Sequence, residues 1–445
     1  MATITEREGP TVRILAICDL HVTERQREED QRAVLARVAD DADQLRPALS
    51  IIGGDLYGHA VPHRSTPTER EILAPFVQRL ARWGPVVVLV GNHDVPEDLE
   101  LLARLSGEWP IHVVTEPEIL RVDTRVGAVD VAALPYPRRK TWLDEGEARG
   151  GESTRAVLQA KLAELLAAWS AVLPLRRPDR AATVFAGHVQ ISGSRTGGGE
   201  VLAGGEPEIA PVDLADLPVD VALLGHIHLC QTPADRAWYT GSPWPQDFGE
   251  REDKGYLVAD VGPWAMEVWD PTLNGGGPPR AEELAAYPAT ETRNRARILR
   301  LPAHAPKLVS LTWRWGCPHG DEEGQPDWLE TPNAIPADVR GAHVRARLHV
   351  QPQARASCPW EKVSALFRAA LSWKEELVIE TSVSVRAPEV AAAEALDDKI
   401  RAYWRTLTPA PAPELQDAAL RDLEALNLSG ADEALARISA IRLEA

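Results

Sequence analysis

Residues 12–21 read VRILAICDLH, a short apolar run that closes on an aspartate and a histidine. Two similar runs follow, LSIIGGD at residues 49–55 and VVVLVGNHD at residues 86–94. Continuous apolar runs of this length, each ended by Gly, Asp or Asn, are typical of buried strands. Apolar residues at helical spacing lie between the runs, from Val34 to Ala42 and from Ile72 to Leu80. This alternation predicts a largely parallel sheet covered by helices, with functional groups at the carboxyl ends of the strands.

The helical pattern that begins near Ile72 follows Thr68 and Glu71, which are spaced as a capping box. Further along, a helical segment from Thr154 to Trp169 precedes two more predicted strands, at residues 182–186 and 219–224. Each of these strands runs directly into a Gly-His pair. The pattern therefore extends the first domain, which we expect to occupy residues 1–272.

Beyond residue 272 the composition changes. Residues 273–305 contain GGGPP and a polar stretch, which predicts a linker or an insertion. A smaller α+β domain is expected at residues 306–405, with strands near 307–314, 342–350 and 376–385. Residues 406–445 begin with the proline-rich tract TPAPAP and continue with two short amphipathic helical patterns, which predict a stiff spacer and a helical tail.

Composition excludes several classes of protein. The chain has 445 residues and a formal net charge of -18, which argues against coating nucleic acid by bulk electrostatics but leaves room for a local basic groove. The four cysteines lack CxxC spacing, so neither a disulfide framework nor a zinc ribbon is predicted. No apolar stretch approaches the length of a signal peptide or a membrane span, so we expect a cytoplasmic protein without a membrane partner.

Polar clusters follow all five predicted strands. They are Asp19-Leu-His21, Gly54-Asp55, Gly91-Asn92-His93-Asp94, Gly187-His188 and Gly225-His226-Ile-His228. Because the carboxyl ends of parallel strands meet at one edge, the clusters are expected to lie together. Oxygen and nitrogen donors without thiolates suit Mn, Mg, Fe or Zn, and a donor set of this size suits two ions better than one. A single histidine after a strand is often structural, but five clusters in series predict a metal centre.

In this order the clusters resemble the signature of the calcineurin-like metallophosphoesterase superfamily, DxH, GD, GNH[DE], GH and GHxH. The resemblance implies an α/β sandwich of two sheets flanked by helices, with the smaller α+β domain as a capping domain and a helical tail. It also implies two divalent ions. One would be held by Asp19, His21, Asp55 and His228, and the other by Asp55, Asn92, His188 and His226, with Asp55 as the bridge.

Within that superfamily the chain resembles the SbcD family of bacterial nuclease subunits, which process DNA double-strand breaks together with a long coiled-coil ATPase. The residues that carry this resemblance are Leu134-Pro-Tyr-Pro137, Gly187 to Gly193, Tyr239-Thr-Gly-Ser-Pro243, Phe248-Gly-Glu250, Lys254-Gly-Tyr256 and Val385-Arg-Ala-Pro388. The resemblance implies a DNA exonuclease or endonuclease that uses two divalent ions, Mn above all. Its implied partners are DNA and an SbcC-like coiled-coil ATPase, and a homodimer is compatible with it.

Candidate roles follow for residues beside the ligands. His93 is expected to protonate the leaving oxygen because it adjoins Asn92, and Asp94 is expected to orient its imidazole. A structural hydrogen bond is the alternative for His93. Four further side chains could contact a DNA backbone or base, although solvated surface charge would also explain the arginines. These residues are Tyr136, Arg138, Arg139 and Arg195.

Two other functions stay open from the sequence. A small-molecule phosphodiesterase or phosphatase of the same superfamily is mildly favoured by the acidic net charge, whereas a second domain and a tail favour the nuclease. A non-catalytic binding protein is disfavoured because every ligand position is filled. The apolar stripes of the tail, at Leu420 and Leu423 and at Leu435 and Ile438, predict docking onto a partner, with packing onto the capping domain as the alternative.

Overall fold

The computed structural model describes residues 11–24, 27–58, 64–105, 107–143, 151–176, 180–197, 206–262, 268–269, 296–315, 339–350, 367–379, 390, 396–407 and 410–425. Two compact units are distinguished. The larger consists of Met1–Arg314, Asp321–Leu348 and Pro359–Leu377, and the smaller consists of Trp315–Gly320, His349–Cys358 and Val378–Ala445.

The strands are numbered in chain order. They are β1 (Val12–Ile17), β2 (Leu49–Ile52), β3 (Val86–Leu89), β4 (Ile111–Val114), β5 (Glu118–Thr124), β6 (Gly127–Leu134), β7 (Arg180–His188), β8 (Gln190–Ile191), β9 (Glu208–Ile209), β10 (Val221–Gly225), β11 (Gln231–Ala234), β12 (Ala237–Tyr239), β13 (Gly255–Val261), β14 (Val268–Trp269), β15 (Ala296–Pro302), β16 (Leu308–Trp315), β17 (His343–Val350) and β18 (Ser372–Ile379). The α-helices are α1 (Glu28–Leu45), α2 (Pro67–Leu80), α3 (Pro96–Leu99), α4 (Arg139–Trp142), α5 (Gly151–Val172), α6 (Pro211–Ala215), α7 (Leu396–Thr406) and α8 (Pro413–Ala425).

Two large sheets form the centre of the larger unit. The first has seven strands in the order β14, β15, β13, β1, β2, β3, β4, and the second has six in the order β11, β12, β10, β7, β6, β5. Strands β1 to β4 are parallel, as are β6, β7, β10 and β12. Apolar side chains from both sheets, including Ile14, Leu89, Val184 and Leu223, share one buried cluster. The sheets therefore pack face to face.

Helices cover the outer face of each sheet. Val34 and Val38 of α1 and Phe76 of α2 share a cluster with the first sheet. Leu162 and Leu166 of α5 share another with the second sheet. The predicted sandwich of two sheets flanked by helices is confirmed, and the strands predicted from the apolar runs are present in it.

Helix α2 begins earlier than the sequence pattern indicated. Its N-cap is Thr66, whose side chain accepts a hydrogen bond from the Glu69 backbone N–H, while the Glu69 carboxylate accepts one from the Thr66 N–H. The predicted capping box at Thr68 and Glu71 was wrong by two residues. Pro67 explains the difference, because its fixed φ and missing N–H suit the first position of a helix.

Part of the predicted linker is a strand of the first sheet. Strand β15 pairs antiparallel with β13 along its length, and Ile298, Leu299 and Leu301 are buried. Within the segment predicted to be a linker or an insertion, residues 273–305, this strand is thus part of the first sheet, because its apolar side chains complete the core. The rest of that segment up to residue 295 lies outside the described residues, and the domain boundaries stay a prediction.

The remaining strands and helices follow the first domain along the chain. Strands β16, β17 and β18 form a three-stranded sheet in that order, which agrees with strands predicted near 307–314 and 342–350. Helices α7 and α8 belong to the smaller unit. The residues of the first predicted tail helix, Leu420 and Leu423, lie in α8. The second tail helix, with Leu435 and Ile438, lies outside the described residues.

One described helical segment, Thr154–Leu175, is long and apolar enough to cross a membrane by length and composition. Its Leu162, Leu166 and Trp169 are buried in the cluster with the second sheet. One face of this segment therefore packs on the second sheet. A cytoplasmic location stays a prediction.

The cluster between the sheets should dominate the stability of the sandwich. Leu223→Ala removes a fully buried side chain from it, and we expect the free energy of unfolding to fall by about 2–5 kcal/mol. Leu175→Ala is the matched control, because that side chain is 83% exposed. Denaturant unfolding of the metal-free variants would measure both. Equal losses for the two leucines would contradict the assignment of this core.

Candidate metal centre

The five polar clusters meet at one end of the sandwich. The loops after β1, β2 and β3 come from the first sheet, and those after β7 and β10 come from the second. Residues from the two sheets contact each other directly, since the His226 backbone N–H donates to Asp19 Oδ1 over 2.9 Å and His188 Nδ1 lies 2.7 Å from the Gly53 carbonyl oxygen. The clusters lie together as expected, but across two sheets and not along the edge of one.

The backbone at this end is unusual. Asp19, His21, Asp55 and His226 have φ values of 54°, 46°, 52° and 95°, a left-handed region that residues other than glycine rarely adopt. Backbone hydrogen bonds hold the first two loops together, from the Asp19 N–H to the Gly54 carbonyl over 3.0 Å and from the His21 N–H to the Asp55 carbonyl over 2.9 Å. Strained residues of this kind cluster at functional sites, where the surrounding structure holds them in place.

Two glycines permit the close approach of these loops. A Cβ added to Gly91 would lie 2.1 Å from Asp55 Oδ1, and one added to Gly54 would lie 2.3 Å from His188 Nδ1. Gly54 also has a φ of 97°. Any larger residue at either position would displace a candidate ligand, which explains the Gly-Asp and Gly-Asn pairs in the sequence.

The carboxylate of Asp55 lies close to three histidines. Its Oδ2 is 3.3 Å from His188 Nε2, 3.7 Å from His21 Nε2 and 4.0 Å from His93 Nε2. His21 Nε2 is in turn 3.0 Å from His228 Nε2. The donor atoms of Asp19, His21 and His228 form one group within 4.8 Å of one another, and those of Asp19, Asp55 and His188 form another. Asp19 belongs to both groups.

Asn92 connects the remaining predicted ligands. Its Oδ1 lies 3.0 Å from His188 Nε2 and 3.1 Å from His226 Nδ1. The seven predicted ligands thus form one continuous set of neighbouring donors, in which Asp55 and His188 connect the two ends.

The residues present fit divalent cations. Asp19 Oδ2 is buried and has no hydrogen-bond partner. An anionic oxygen in that position costs free energy unless a cation neutralises it. The surrounding donors are imidazoles, carboxylates and an amide, the set that Mn, Fe, Zn and Mg share. Cys18 is buried next to this site, but burial raises the pKa of its thiol, and its sulfur belongs to none of the three donor groups among the described residues.

At this site, burial and the charges of neighbouring residues shift the pKa values of Asp55 and His188 in opposite directions. Burial acts to raise the pKa of Asp55, but the charge of His188 and a hydrogen bond with it hold that pKa well below the ordinary value. Burial acts to lower the pKa of His188, while the charge of Asp55 raises it to about 9. Burial lowers the pKa of His21 to about 3. The ionised carboxylate of Asp55 is therefore strongly favoured within the site.

His93 and Asp94, the predicted catalytic pair, have different surroundings. The His93 ring is 29% exposed and lies edge-on to His21, with ring centroids 4.9 Å apart. The donor atoms of His93, His21 and Asp55 form a third group within 4.8 Å, so His93 is placed either to act on a substrate or to bind a metal.

Asp94 is fully buried, and its carboxylate accepts hydrogen bonds from three backbone amides. These belong to Leu56, Tyr57 and Gly91, at 2.8, 3.1 and 2.9 Å. Asp94 therefore joins the loops after β2 and β3. None of these three hydrogen bonds involves the His93 ring, and the role of Asp94 in orienting that imidazole stays a prediction.

The candidate DNA contacts divide into two sets. Tyr136, Arg138 and Arg139 line a cleft of about 740 Å³ that Glu206 also lines, and the Tyr136 ring lies 5.7 Å from that of His226. Arg138 also donates to the carbonyl oxygens of Gly91 and Asp94, so it supports the loop after β3. Arg195 is exposed and does not line this cleft.

Sequence reasoning missed two residues that touch the histidines. Glu250 Oε1 lies 2.9 Å from His228 Nδ1, and Glu206 Oε2 lies 3.0 Å from His226 Nε2. Glu250 lies in the Phe248-Gly-Glu motif, which carried a family resemblance but no role. Nothing in the sequence pattern near Glu206 indicated a contact with the site.

Comparison with known proteins agrees with this geometry. The family model for calcineurin-like phosphoesterases matches residues 12–230, which contain every predicted ligand. Residues 12–230 form a calcineurin-like phosphoesterase domain. This metallophosphoesterase domain makes the protein a metal-dependent phosphodiesterase.

Individual relatives extend the comparison beyond the metallophosphoesterase domain. The chain is 28% identical over 306 residues to the SbcD subunit of the Bacillus subtilis nuclease SbcCD, covering 63% of this chain and 74% of that protein. It is 24% identical over 237 residues to the corresponding SbcD protein of Staphylococcus epidermidis, covering 52% of this chain and 60% of that one. A solved structure of Plasmodium GAP50, described as the anchor in the inner membrane complex, matches with a TM-score of 0.35 and 11% identity over 57% of this chain and 81% of that chain.

The central place of Asp55 in the metallophosphoesterase domain leads to a test. Asp55→Asn keeps the size of the side chain but removes the charge that faces three histidines. We expect divalent metal affinity to fall at both positions by more than the roughly 10- to 100-fold typical of an outer partner. Calorimetric titration with Mn²⁺ would measure it. Asp235→Asn, whose side chain is 61% exposed, is the control, and two ions bound normally by Asp55→Asn would refute the bridging role.

Proposed function

We propose that the protein is a manganese-dependent DNA nuclease, an exonuclease or endonuclease, that acts with an SbcC-like coiled-coil ATPase in DNA end processing or repair. The observation that carries the proposal is the continuous set of donors around Asp19 and Asp55. Such a set suits two divalent ions better than one. The relatives, which are named as the SbcD subunits of nuclease SbcCD, support the choice of substrate and partner.

In this proposal Asp19, His21, Asp55 and His228 would hold one ion, and Asp55, Asn92, His188 and His226 would hold the other. When bound, two divalent ions supply Lewis-acid activation and neutralise the charge of a phosphodiester.

The protein itself supplies proton transfer and orientation. His93 borders the donors with a partly exposed ring, which suits a group that gives a proton to the leaving oxygen. The hydrogen bonds that Arg138 and Asp94 make to the loop after β3 keep Asn92 and His93 in register with Asp55.

A DNA substrate is favoured over a small phosphodiester by the cleft beside His226. Tyr136 offers an aromatic surface for stacking, and Arg139 and Arg155 offer positive charge along the same cleft. A small-molecule phosphodiesterase remains the second candidate, because the cleft also carries Glu97, Glu100 and Glu116 and the chain is acidic.

The substrate class can be tested on one preparation. Protein freed of metal and reloaded with Mn²⁺ would be given end-labelled duplex DNA, single-stranded DNA and bis-p-nitrophenyl phosphate. Cleavage of DNA at a higher kcat/KM than the small diester supports the nuclease. Hydrolysis of the small diester without cleavage of either DNA would favour the second candidate.

His93 provides a sharper test of the chemistry. We expect His93→Ala to lower turnover by on the order of 10²- to 10⁴-fold while both ions stay bound, because the ring is proposed to act on the leaving group. Metal content and activity would be measured on the same sample. His112→Ala, on β4 and outside the three donor groups of the described residues, is the control. Loss of metal together with activity would make His93 a ligand.

The ATPase partner is proposed to bind the C-terminal tail. Helix α8 leaves Leu415 56% exposed, although this residue lies on a helix with an apolar stripe. A helix of this kind suits docking into the groove of a partner. The proline-rich tract before α8 suits a stiff spacer.

Deletion of residues 409–445 should therefore separate two activities. We expect the truncated protein to hydrolyse bis-p-nitrophenyl phosphate within about twofold of the full chain, because α8 and the metal ligands lie in different units. We expect its co-purification with a co-expressed SbcC-like ATPase to be lost. Full retention of the ATPase, or unfolding of the truncated protein, would refute the docking proposal.

A further inference from the structure

The segment that follows β12 returns to the metal centre through two charged side chains. Glu250 and Lys254 are each only 7% exposed. Glu250 Oε1 lies 2.9 Å from His228 Nδ1, and Lys254 Nζ lies 3.2 Å from the backbone carbonyl oxygen of the same histidine. His228 is thus held at its ring and at its backbone by residues four positions apart.

We propose that Glu250 and Lys254, named here the His228 clamp, are positioning residues that determine which ring nitrogen His228 presents to the metal centre. The inference rests on the proposed function of His228 as a metal ligand. It gives a role to Glu250 and Lys254 within the Phe248-Gly-Glu250 and Lys254-Gly-Tyr256 motifs, of which Tyr256 belongs to the core.

The chemistry of the pair fixes the tautomer. An ionised carboxylate has only hydrogen-bond acceptors, so His228 Nδ1 must carry the proton that it donates to Glu250. A neutral imidazole then has its free lone pair on Nε2. That nitrogen faces the centre, where it lies 3.0 Å from His21 Nε2. The Glu250 contact therefore leaves the inward nitrogen free to bind a metal.

Lys254 holds Glu250 in this position. Its Nζ lies 2.6 Å from Glu250 Oε2, and the Gln246 backbone N–H donates to the same oxygen over 3.0 Å. Both carboxylate oxygens of Glu250 are thus occupied. A buried carboxylate with a lysine and an amide on one oxygen keeps the other in a defined direction, which is what an orienting partner of a ligand requires.

The neighbouring histidine shows why the choice of nitrogen matters. His226 turns Nδ1 toward Asn92 Oδ1, at 3.1 Å, and its Nε2 lies 3.0 Å from Glu206 Oε2. The two histidines of one Gly-His-Ile-His motif therefore turn opposite ring nitrogens inward. Sequence spacing alone does not specify this difference, and an acidic side chain lies at the outward nitrogen in each case.

Glu252 offers a matched control. Its Oε1 lies 2.5 Å from Lys254 Nζ, so it shares the lysine with Glu250. No ion pair or hydrogen bond of the described residues joins Glu252 to His228. A purely structural role for the charged segment would make the two glutamates similar, whereas the clamp makes only Glu250 important for metal binding.

The experiment compares Glu250→Gln and Glu250→Ala with Glu252→Gln and Glu252→Ala in the full chain without DNA. Mn²⁺ affinity would be measured by calorimetry, and the melting temperature of the metal-free protein would be measured on each variant. We expect Glu250→Ala to weaken binding by about 10- to 100-fold. Glu250→Gln should show a smaller loss because its amide oxygen can still accept the proton of Nδ1. Both Glu252 variants should stay within about threefold of the original affinity.

A second measurement addresses the tautomer directly. Long-range ¹H–¹⁵N spectra of metal-free protein labelled at histidine should show His228 protonated at Nδ1, and Glu250→Ala should populate the other tautomer. Unchanged Mn²⁺ affinity in both Glu250 variants, or equal losses in the Glu250 and Glu252 variants, would overturn the proposal. These readouts need no nucleic acid, so a wild-type protein that fails to cleave DNA would refute the nuclease proposal and leave this test intact.

Discussion

The rest of the structure depends on two carboxylates that are buried where the two sheets meet, because their negative charge must be compensated. Asp19 and Asp55 are almost inaccessible to solvent, and one oxygen of Asp19 has no hydrogen-bond partner. Burial of an anion without compensation is costly, and the histidines gathered around them compensate only in part, since burial lowers the pKa of His21 to about 3 and so keeps that ring neutral. The arrangement is reasonable when divalent cations supply the missing positive charge.

The sandwich makes such a site possible in conformational terms. Parallel strands deliver short loops to one end, and the shared apolar cluster fixes the two sheets against each other. Left-handed backbone at Asp19, His21, Asp55 and His226 persists because each loop is hydrogen-bonded or packed against another. Glycines at two positions, 54 and 91, remove the side chains that would separate the loops. The sheets therefore hold the loops in their strained conformation, and this conformation brings the donor atoms together.

Support for the donors extends outward through charged side chains. Asp94 and Arg138 bind backbone groups of the loop after β3, and Glu250 with Lys254 binds His228. Arg138 shows how one residue can serve two purposes, because it stabilises this loop and also lines the cleft beside His226. A substitution of Arg138 would therefore disturb the loop after β3 as well as the cleft. Arg139 also lines the cleft, and its guanidinium donates a hydrogen bond to a threonine hydroxyl of α5.

The sequence by itself determined the five strands that lead into the polar clusters, the helical segments between them and the candidate donors at the strand ends. Apolar runs that end in Asp, His and Gly report both a buried strand and the loop that follows it, so Asp19, Asp55, Asn92 and the histidines could be found without coordinates. Only the tertiary structure decided that the donors come from two sheets, that β15 completes the first sheet, and that Glu250 and Glu206 contact the histidines. The physical reason is that local patterning reports which face of an element is buried. Contacts between distant loops, and the ring nitrogen that each histidine turns inward, depend on how the elements pack.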